Sequence, residues 1–197
     1  LKRFGGVFTD SGYSEIILPS LWDQETFIKK GGEEITKQMY CFQDKGDRPI
    51  CLIPEGTALI QSLYNEEWCK AWKKPIRIFY EAKCYRYERP QAGRYREFTQ
   101  FGVELLGADP ELDKQETIEV MMRCVDEIGL KNFERKDSVK RGLSYYVEDG
   151  FEIECPSLGA QKQVAGGGRY KEGIGFAFGI DRLMLALDMQ EEERANA

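Results

Sequence analysis

The 197-residue sequence contains no histidine. That absence excludes every mechanism that needs a protein imidazole: Ser-His-Asp and Cys-His catalysis, the HExxH zinc site and the histidine-containing zinc deaminase site. None of the six cysteines, at 41, 51, 69, 84, 124 and 155, forms a CxxC pair, so no structural zinc site is expected. No apolar run reaches the roughly 18–20 residues of a membrane span. The opening residues lack the basic, apolar and cleavage regions of a secretory signal. Together with the wide cysteine spacing, this favours reduced thiols in a cytoplasmic protein over a disulfide framework. Residue 1 is Leu, which leaves the true N-terminus open.

Basic residues are in the minority, 28 Lys and Arg against 34 Asp and Glu, for a net charge of −6. Bulk electrostatics therefore argue against a non-specific nucleic-acid binder. The cations are nevertheless gathered locally. Between Lys83 and Arg96 stand five (Lys83, Arg86, Arg89, Arg94, Arg96) against the single anion Glu88. Apolar residues make up 42% and charged residues 31%, as in a globular chain long enough for one self-sufficient core. The expected organisation is one domain over 1–190 and an acidic tail over 191–197.

Strands are expected at Ser14–Pro19, Met39–Phe42, Pro49–Ile53, Ile76–Tyr87, Arg96–Leu106, Leu143–Val147 and Phe151–Glu154, with a break at Gly31-Gly32. Helices are expected from about Pro54 to Trp72, from Asp109 and Pro110 to Gly129, and over Ile180–Leu187. Glu134–Arg141 reads as a charged stretch and Gly166-Gly167-Gly168 as a turn. Strands in consecutive runs, with few βαβ alternations, favour an α+β fold with helices packed on an antiparallel sheet.

Period two divides the run Arg96–Leu106 into an apolar face (Thr99, Phe101, Val103, Leu105) and a second face carrying Phe98, Gln100, Gly102 and Glu104. The second face suits either the floor of a ligand site, with Gly102 leaving space, or a solvent face. Arg86, Arg94 and Arg96 suit phosphate recognition, or a surface ladder with Glu88 and Glu97. Glu55 and Thr57 suit helix capping, or capture of a substrate ammonium. Gly166–Arg169 allows close backbone approach to a ligand, or is a plain turn.

The order of these pieces carries a resemblance. Arg86-Tyr87-Glu88-Arg89-Pro90, then Gly93-Arg94-Tyr95-Arg96-Glu97-Phe98, Gln100 and Glu104, resembles motif 2 of the class II aminoacyl-tRNA synthetases. Gly175–Leu183 resembles motif 3, and Gly12–Ile16 with Pro19 resembles motif 1. Pro54-Glu55-Gly56-Thr57, Arg141-Gly142-Leu143-x-Tyr145-Tyr146 and Ser157-Leu158-Gly159 with Gly167-Gly168-Arg169-Tyr170 are similar to signatures of the histidyl-tRNA synthetase family.

The resemblance implies a six-stranded antiparallel sheet flanked by helices and a homodimer formed through motif 1. It also implies activation of histidine by ATP with Mg2+, then transfer to the tRNA acceptor end. It assigns catalysis to Arg86, Arg141 and Gln100, and ATP binding to Arg86, Glu88, Arg94, Phe98 and Arg182. Histidine falls to Glu55, Thr57, Gln100, Glu104, Tyr145, Tyr146, Gly167 and Arg169. Arg89 and Gln91 would meet the tRNA acceptor end. No side-chain metal site is implied. The sequence departs from the family at Ser144 and Lys171, where Asp is usual, and it lacks the anticodon-binding and insertion domains. Two other readings follow from those departures: an adenylating paralog with a different acceptor, and a histidine-sensing paralog like the regulatory subunit of ATP phosphoribosyltransferase.

Overall fold

The computed structural model describes residues 2–195. A seven-stranded sheet forms its centre, in the order β1 (Ser14–Ile17), β5 (Ile76–Tyr85), β6 (Glu97–Leu106), β10 (Gly173–Gly179), β9 (Gln163–Tyr170), β8 (Gly150–Glu154), β7 (Glu134–Val139). A small sheet of β2 (Leu21–Asp23), β4 (Pro49–Leu52) and β3 (Cys41–Gln43) lies beside it. The helices are α1 (Lys2–Asp10), α2 (Gln24–Gln38), α3 (Thr57–Leu63), α4 (Cys69–Ala71), α5 (Asp113–Ile128) and α6 (Ile180–Ala195), with a π-helical turn at Tyr64–Trp68 joining α3 to α4.

The fold is α+β with helices on a large sheet, as expected, but the strand count differs. The sheet has seven strands where six were expected, and both of its edges depart from the expectation. β1 runs parallel to β5, so the sheet is not wholly antiparallel. The charged stretch Glu134–Val139 is the opposite edge, paired with β8. Its Glu, Arg, Lys and Asp side chains suit an edge strand, where charge discourages pairing with another chain.

A buried core lies on each face of the central sheet. Phe101, Val103 and Leu105 of β6 join Phe4, Phe8, Met121, Val125, Phe176 and Phe178 in one core, beneath α1, α5 and α6. Ile78, Tyr80, Ala82 and Cys84 of β5 join Phe27, Ile53, Leu59 and Ile60 in a second core, beneath α2 and α3. β6 and β5 divide by period two as a strand buried on both sides must. Phe8 stacks on Phe101 with centroids 5.4 Å apart, and Phe4 on Phe178 at 4.8 Å.

Several local expectations change. α5 starts one turn later than Asp109, because Asp109 forms a separate turn: its Oδ1 accepts from the Glu111 amide (3.0 Å) and its carbonyl from the Leu112 and Asp113 amides. Gly129 ends α5 in the left-handed region (φ 71°), as its glycine allows. Gly166–Gly168 is not a turn but the middle of β9, hydrogen-bonded on both sides. The glycines are needed because Cβ atoms there would strike Arg141 and Gln163, Phe176, and Tyr146 in turn. Leu143–Val147 is not a strand. β8 and β10 already occupy both edges of most of β9, and only its last residues remain to pair with this segment, through a bridge of Tyr146 to Tyr170. α6 continues through Ala195, so the acidic residues 191–193 extend a helix; Asn196 and Ala197 lie outside the described residues. No helix among the described residues is long and apolar enough to cross a membrane.

Candidate active site

A cavity of about 450 Å³ opens on the α2 and α3 side of the sheet. Its floor is the polar face of β6, from which Phe98 and Gln100 reach the cavity. Gln100 accepts the Gly56 amide at 3.2 Å, tying the floor to the turn that opens α3. That turn is built by Glu55, whose carboxylate accepts the amides of Thr57 and Ala58, both at 2.8 Å. Glu55 thus caps the helix start and also lines the cavity. Tyr145 donates its hydroxyl to the same carboxylate at 3.3 Å.

Glu104 lies deeper and does not line the cavity; it is fully buried beneath it. The Thr57 hydroxyl donates to its Oε1 and the Tyr170 hydroxyl to its Oε2, each at 2.6 Å. Burial dominates these donors and pushes the Glu104 carboxyl up to about 8. Burial also raises Glu55, less the opposing pull of its amide donors and Arg86. Gly102 does not leave space for a ligand. The Tyr80 ring fills the volume above it, where a Cβ would overlap the ring, and the same ring packs on Gly56. The Tyr80 hydroxyl is buried without a hydrogen-bond partner.

The other end of the cavity is cationic. Arg86 donates Nε to the Pro54 carbonyl (2.9 Å) and lies over the Phe98 ring at 5.2 Å. Arg94 pairs with Glu88 at 2.6 Å, so one rung of the surface ladder exists, but at the cavity wall. Arg182 donates to the carbonyls of Gly93 (2.7 Å) and Gln163 (3.2 Å). Its pKa is lowered by burial first, then by Arg94 and Arg86 nearby. Arg141 pairs with Glu152 at 3.2 Å, lies 5.4 Å from the Tyr146 ring centroid, and keeps a buried Nε with no partner. Like charges held together, with one donor unanswered, fit a polyanion: a triphosphate would relieve the repulsion and take the free donor. Among the described residues, no three or more His, Cys, Asp or Glu side chains are grouped so as to hold a metal ion.

Two residues expected at histidine lie elsewhere. Arg169 faces the other side of the sheet, where it pairs with Asp113 of α5 and with Glu148. Gly167 also faces that side, against Phe176. The reason is the strand: with Gly166–Tyr170 extended, residues 166, 168 and 170 share the site face and 167 and 169 cannot. Tyr170 holds Glu104 on that face instead. The sequence reading missed Tyr170 and Tyr80, although period two from Glu104 across β10 and β9 would have pointed to Tyr170. It also missed Glu34 and Gln38 of α2, which line the wall. Arg89 and Gln91 are exposed outside the cavity, on the loop between β5 and β6, where the amide and carbonyl of Gln91 bond those of Arg94.

A largely antiparallel sheet carrying arginines from the connection between β5 and β6 and from the helix after β10 is the architecture of a class II synthetase catalytic domain. Solved structures agree. The model aligns with apo histidyl-tRNA synthetase from S. aureus at a TM-score of 0.77 and 28% identity, covering 96% of this chain and 65% of that one. An ATP phosphoribosyltransferase regulatory subunit/histidyl-tRNA synthetase from Bacillus halodurans shares the fold at a TM-score of 0.79 and 17% identity. The family model for histidyl-tRNA synthetase matches residues 1–134. The chain belongs to the histidyl-tRNA synthetase family. Among curated relatives, the histidine–tRNA ligase of Natranaerobius thermophilus is 29% identical over 286 aligned residues, covering 91% of this chain and 68% of its own length. That of Methanocaldococcus jannaschii is 46% identical over 124 residues, covering 63% and 30%. The chain thus spans about two thirds of the S. aureus chain (65%).

Proposed function

We propose that this chain activates histidine with ATP and passes the histidyl group to the acceptor end of a tRNA. One observation carries the reading: four arginines line one cavity, and a buried Glu–Thr–Tyr cluster lies directly beneath it. Arg86, Arg94 and Arg182 would hold the triphosphate, with Phe98 under the base and Glu88 beside the phosphates. Mg2+ would arrive with the nucleotide, held by phosphate oxygens. Glu55, Thr57 and Gln100 would take the ammonium and carboxylate of histidine, and Glu104 with Tyr145 and Tyr146 its imidazole.

The chemistry needs no protein base. The substrate carboxylate is already ionised and attacks the α-phosphorus in line; the acyl–phosphate bond forms as the bond to pyrophosphate breaks. The cavity must align the two substrates and neutralise charge growing on the α-phosphate. Arg86 and Arg141 supply that charge. A hydroxyl of the terminal tRNA ribose then attacks the acyl carbon and AMP leaves. The absence of histidine from the chain is no obstacle to either step.

Further proposals follow from the same reading. Arg89 and Gln91, on an exposed loop, would meet the acceptor end. A single catalytic domain over 1–190 would pair with a second copy through the motif 1 edge, where Ile17 is 91% exposed. The cytoplasm is the proposed setting, and free thiols suit it.

Histidine-dependent exchange of pyrophosphate into ATP, run against the other amino acids, tests the activation step. Exchange with histidine alone is expected. Histidine binding without exchange would shift the reading to a sensor, and exchange without tRNA charging would shift it to another acceptor.

A further inference from the structure

The loop 140–149 joins two adjacent antiparallel strands, closed at its base by the pair Val139 and Gly150. It folds back over the site face and brings Arg141, Tyr145 and Tyr146 to the cavity. Its later part is bridged to β9 at Tyr146 and Tyr170, and the Val147 amide donates to the Arg169 carbonyl at 3.0 Å; side chains hold the rest. Arg141 has its own anchor in Glu152, and Tyr145 reaches Glu55. Glu148 pairs with Arg169 and Asp149 accepts from Ser138; towards α2 the anchor is Ser144, whose hydroxyl donates to the Lys30 carbonyl at 2.9 Å.

That carbonyl is available for a reason. α2 is broken at Gly32 (φ 82°, ψ 179°), and a break leaves carbonyls of the preceding turn without their regular helical donors. Only glycine adopts this conformation readily. A Cβ on Gly32 would also lie 3.2 Å from the Ser144 Oγ and 3.3 Å from its Cβ. The acceptor turn is itself fixed, because the Lys30 ammonium bonds Gln61 (2.9 Å) and Glu172 (3.4 Å). Beyond the break, Glu34, Ile35 and Gln38 form the cavity wall. Gly32 and Ser144 therefore meet at one contact.

We infer that Ser144 is a positioning residue: by capping the Lys30 carbonyl at the Gly32 break, it docks loop 140–149 on α2 and sets Tyr145 and Tyr146 against the substrate side chain. The kinetic part of this inference rests on the histidine-activation reading; the docking part does not.

The test compares Ser144→Ala, Ser144→Thr and Gly32→Ala. Ser144 is exposed, so its variants are expected to fold. In Ser144→Ala, amide hydrogen exchange over 141–147 rises while β6 stays unchanged. The KM for histidine rises about five- to tenfold, the scale of one lost hydrogen bond. The kcat for pyrophosphate exchange and the KM for ATP stay within about twofold, because Arg141 is anchored separately. Ser144→Thr restores the wild-type values, and a folded Gly32→Ala reproduces the loss. Unchanged hydrogen exchange and histidine KM in Ser144→Ala would overturn the inference. So would a parallel fall of kcat and thermal stability with KM unmoved. If the wild type activates no amino acid, the activation reading fails, and hydrogen exchange over 141–147 still decides the docking.

Discussion

The two faces of β6 have opposite chemistry. On one side of β6, Phe101, Val103 and Leu105 pack among aromatic rings with no polar atom to satisfy. On the other, Gln100 reaches the floor of a cavity and Glu104 lies buried beneath it, among hydroxyls and an amide. The first face is stabilised by area removed from water and is indifferent to pH. The second holds carboxyls whose ionisation burial disfavours, which costs stability. A face that costs stability yet is built with partners for nearly every atom is built for a ligand. On β6, apolar packing takes one face and the proposed site the other.

Substitutions can break that division. On activity, Arg141→Ala has the largest expected effect: pyrophosphate exchange falls about 10²- to 10³-fold, as when a charge-stabilising donor is removed. Leaving Glu152 unpaired adds a modest fall in melting temperature. Exchange kinetics and thermal melts read the two separately, and an active Arg141→Ala enzyme would remove the site from this face.

Glu104→Gln comes next. It keeps the shape and the hydrogen bonds of the Thr57 and Tyr170 hydroxyls to at least one oxygen, but cannot carry charge. Measured above about pH 8, where the carboxyl is ionised, histidine affinity should fall about tenfold or more, as for a hydrogen bond to a charged group. The same variant tests the energetics. A carboxyl raised from its ordinary value to about 8 binds a proton in the folded state that the unfolded state has released. Its stabilising share is complete below about pH 4.5 and is lost as pH rises towards 8. Glu55, also raised, acts in the same direction. Wild-type stability should decline across that window, and Glu104→Gln should flatten the decline. Denaturant titrations at successive pH values measure it.

The smallest effect on activity belongs to Arg169→Ala. Histidine KM should stay within about twofold, while stability falls by about 3 kcal/mol because Asp113 is left buried and unpaired. A large rise in histidine KM with stability intact would return Arg169 to the site.

Much of this was legible in the residues. Period two separated the faces of β6, and helical spacing found α5. The motif order supplied the arginines, and the structure brings all four to one cavity. What stayed hidden was hidden for physical reasons. Three successive glycines are as much a sign of close neighbours as of a turn, and only the packing of Arg141, Gln163 and Tyr146 distinguishes the two. A charged run such as Glu134–Val139 does not announce pairing, because an edge strand needs one partner and little apolar surface. The face on which Arg169 lies depends on β9 staying extended through that glycine run. The filling of Gly102 by Tyr80 is a contact between strands, which one strand's pattern cannot contain.

The most direct test of a histidine site on the polar face is calorimetric titration of histidine, with phenylalanine as the apolar control, into wild type and Glu104→Gln. The account predicts binding of histidine and not of phenylalanine to the wild type, with the histidine affinity lost or sharply weakened in the variant. Equal affinity of both proteins for histidine, or no discrimination between the two amino acids, would contradict it.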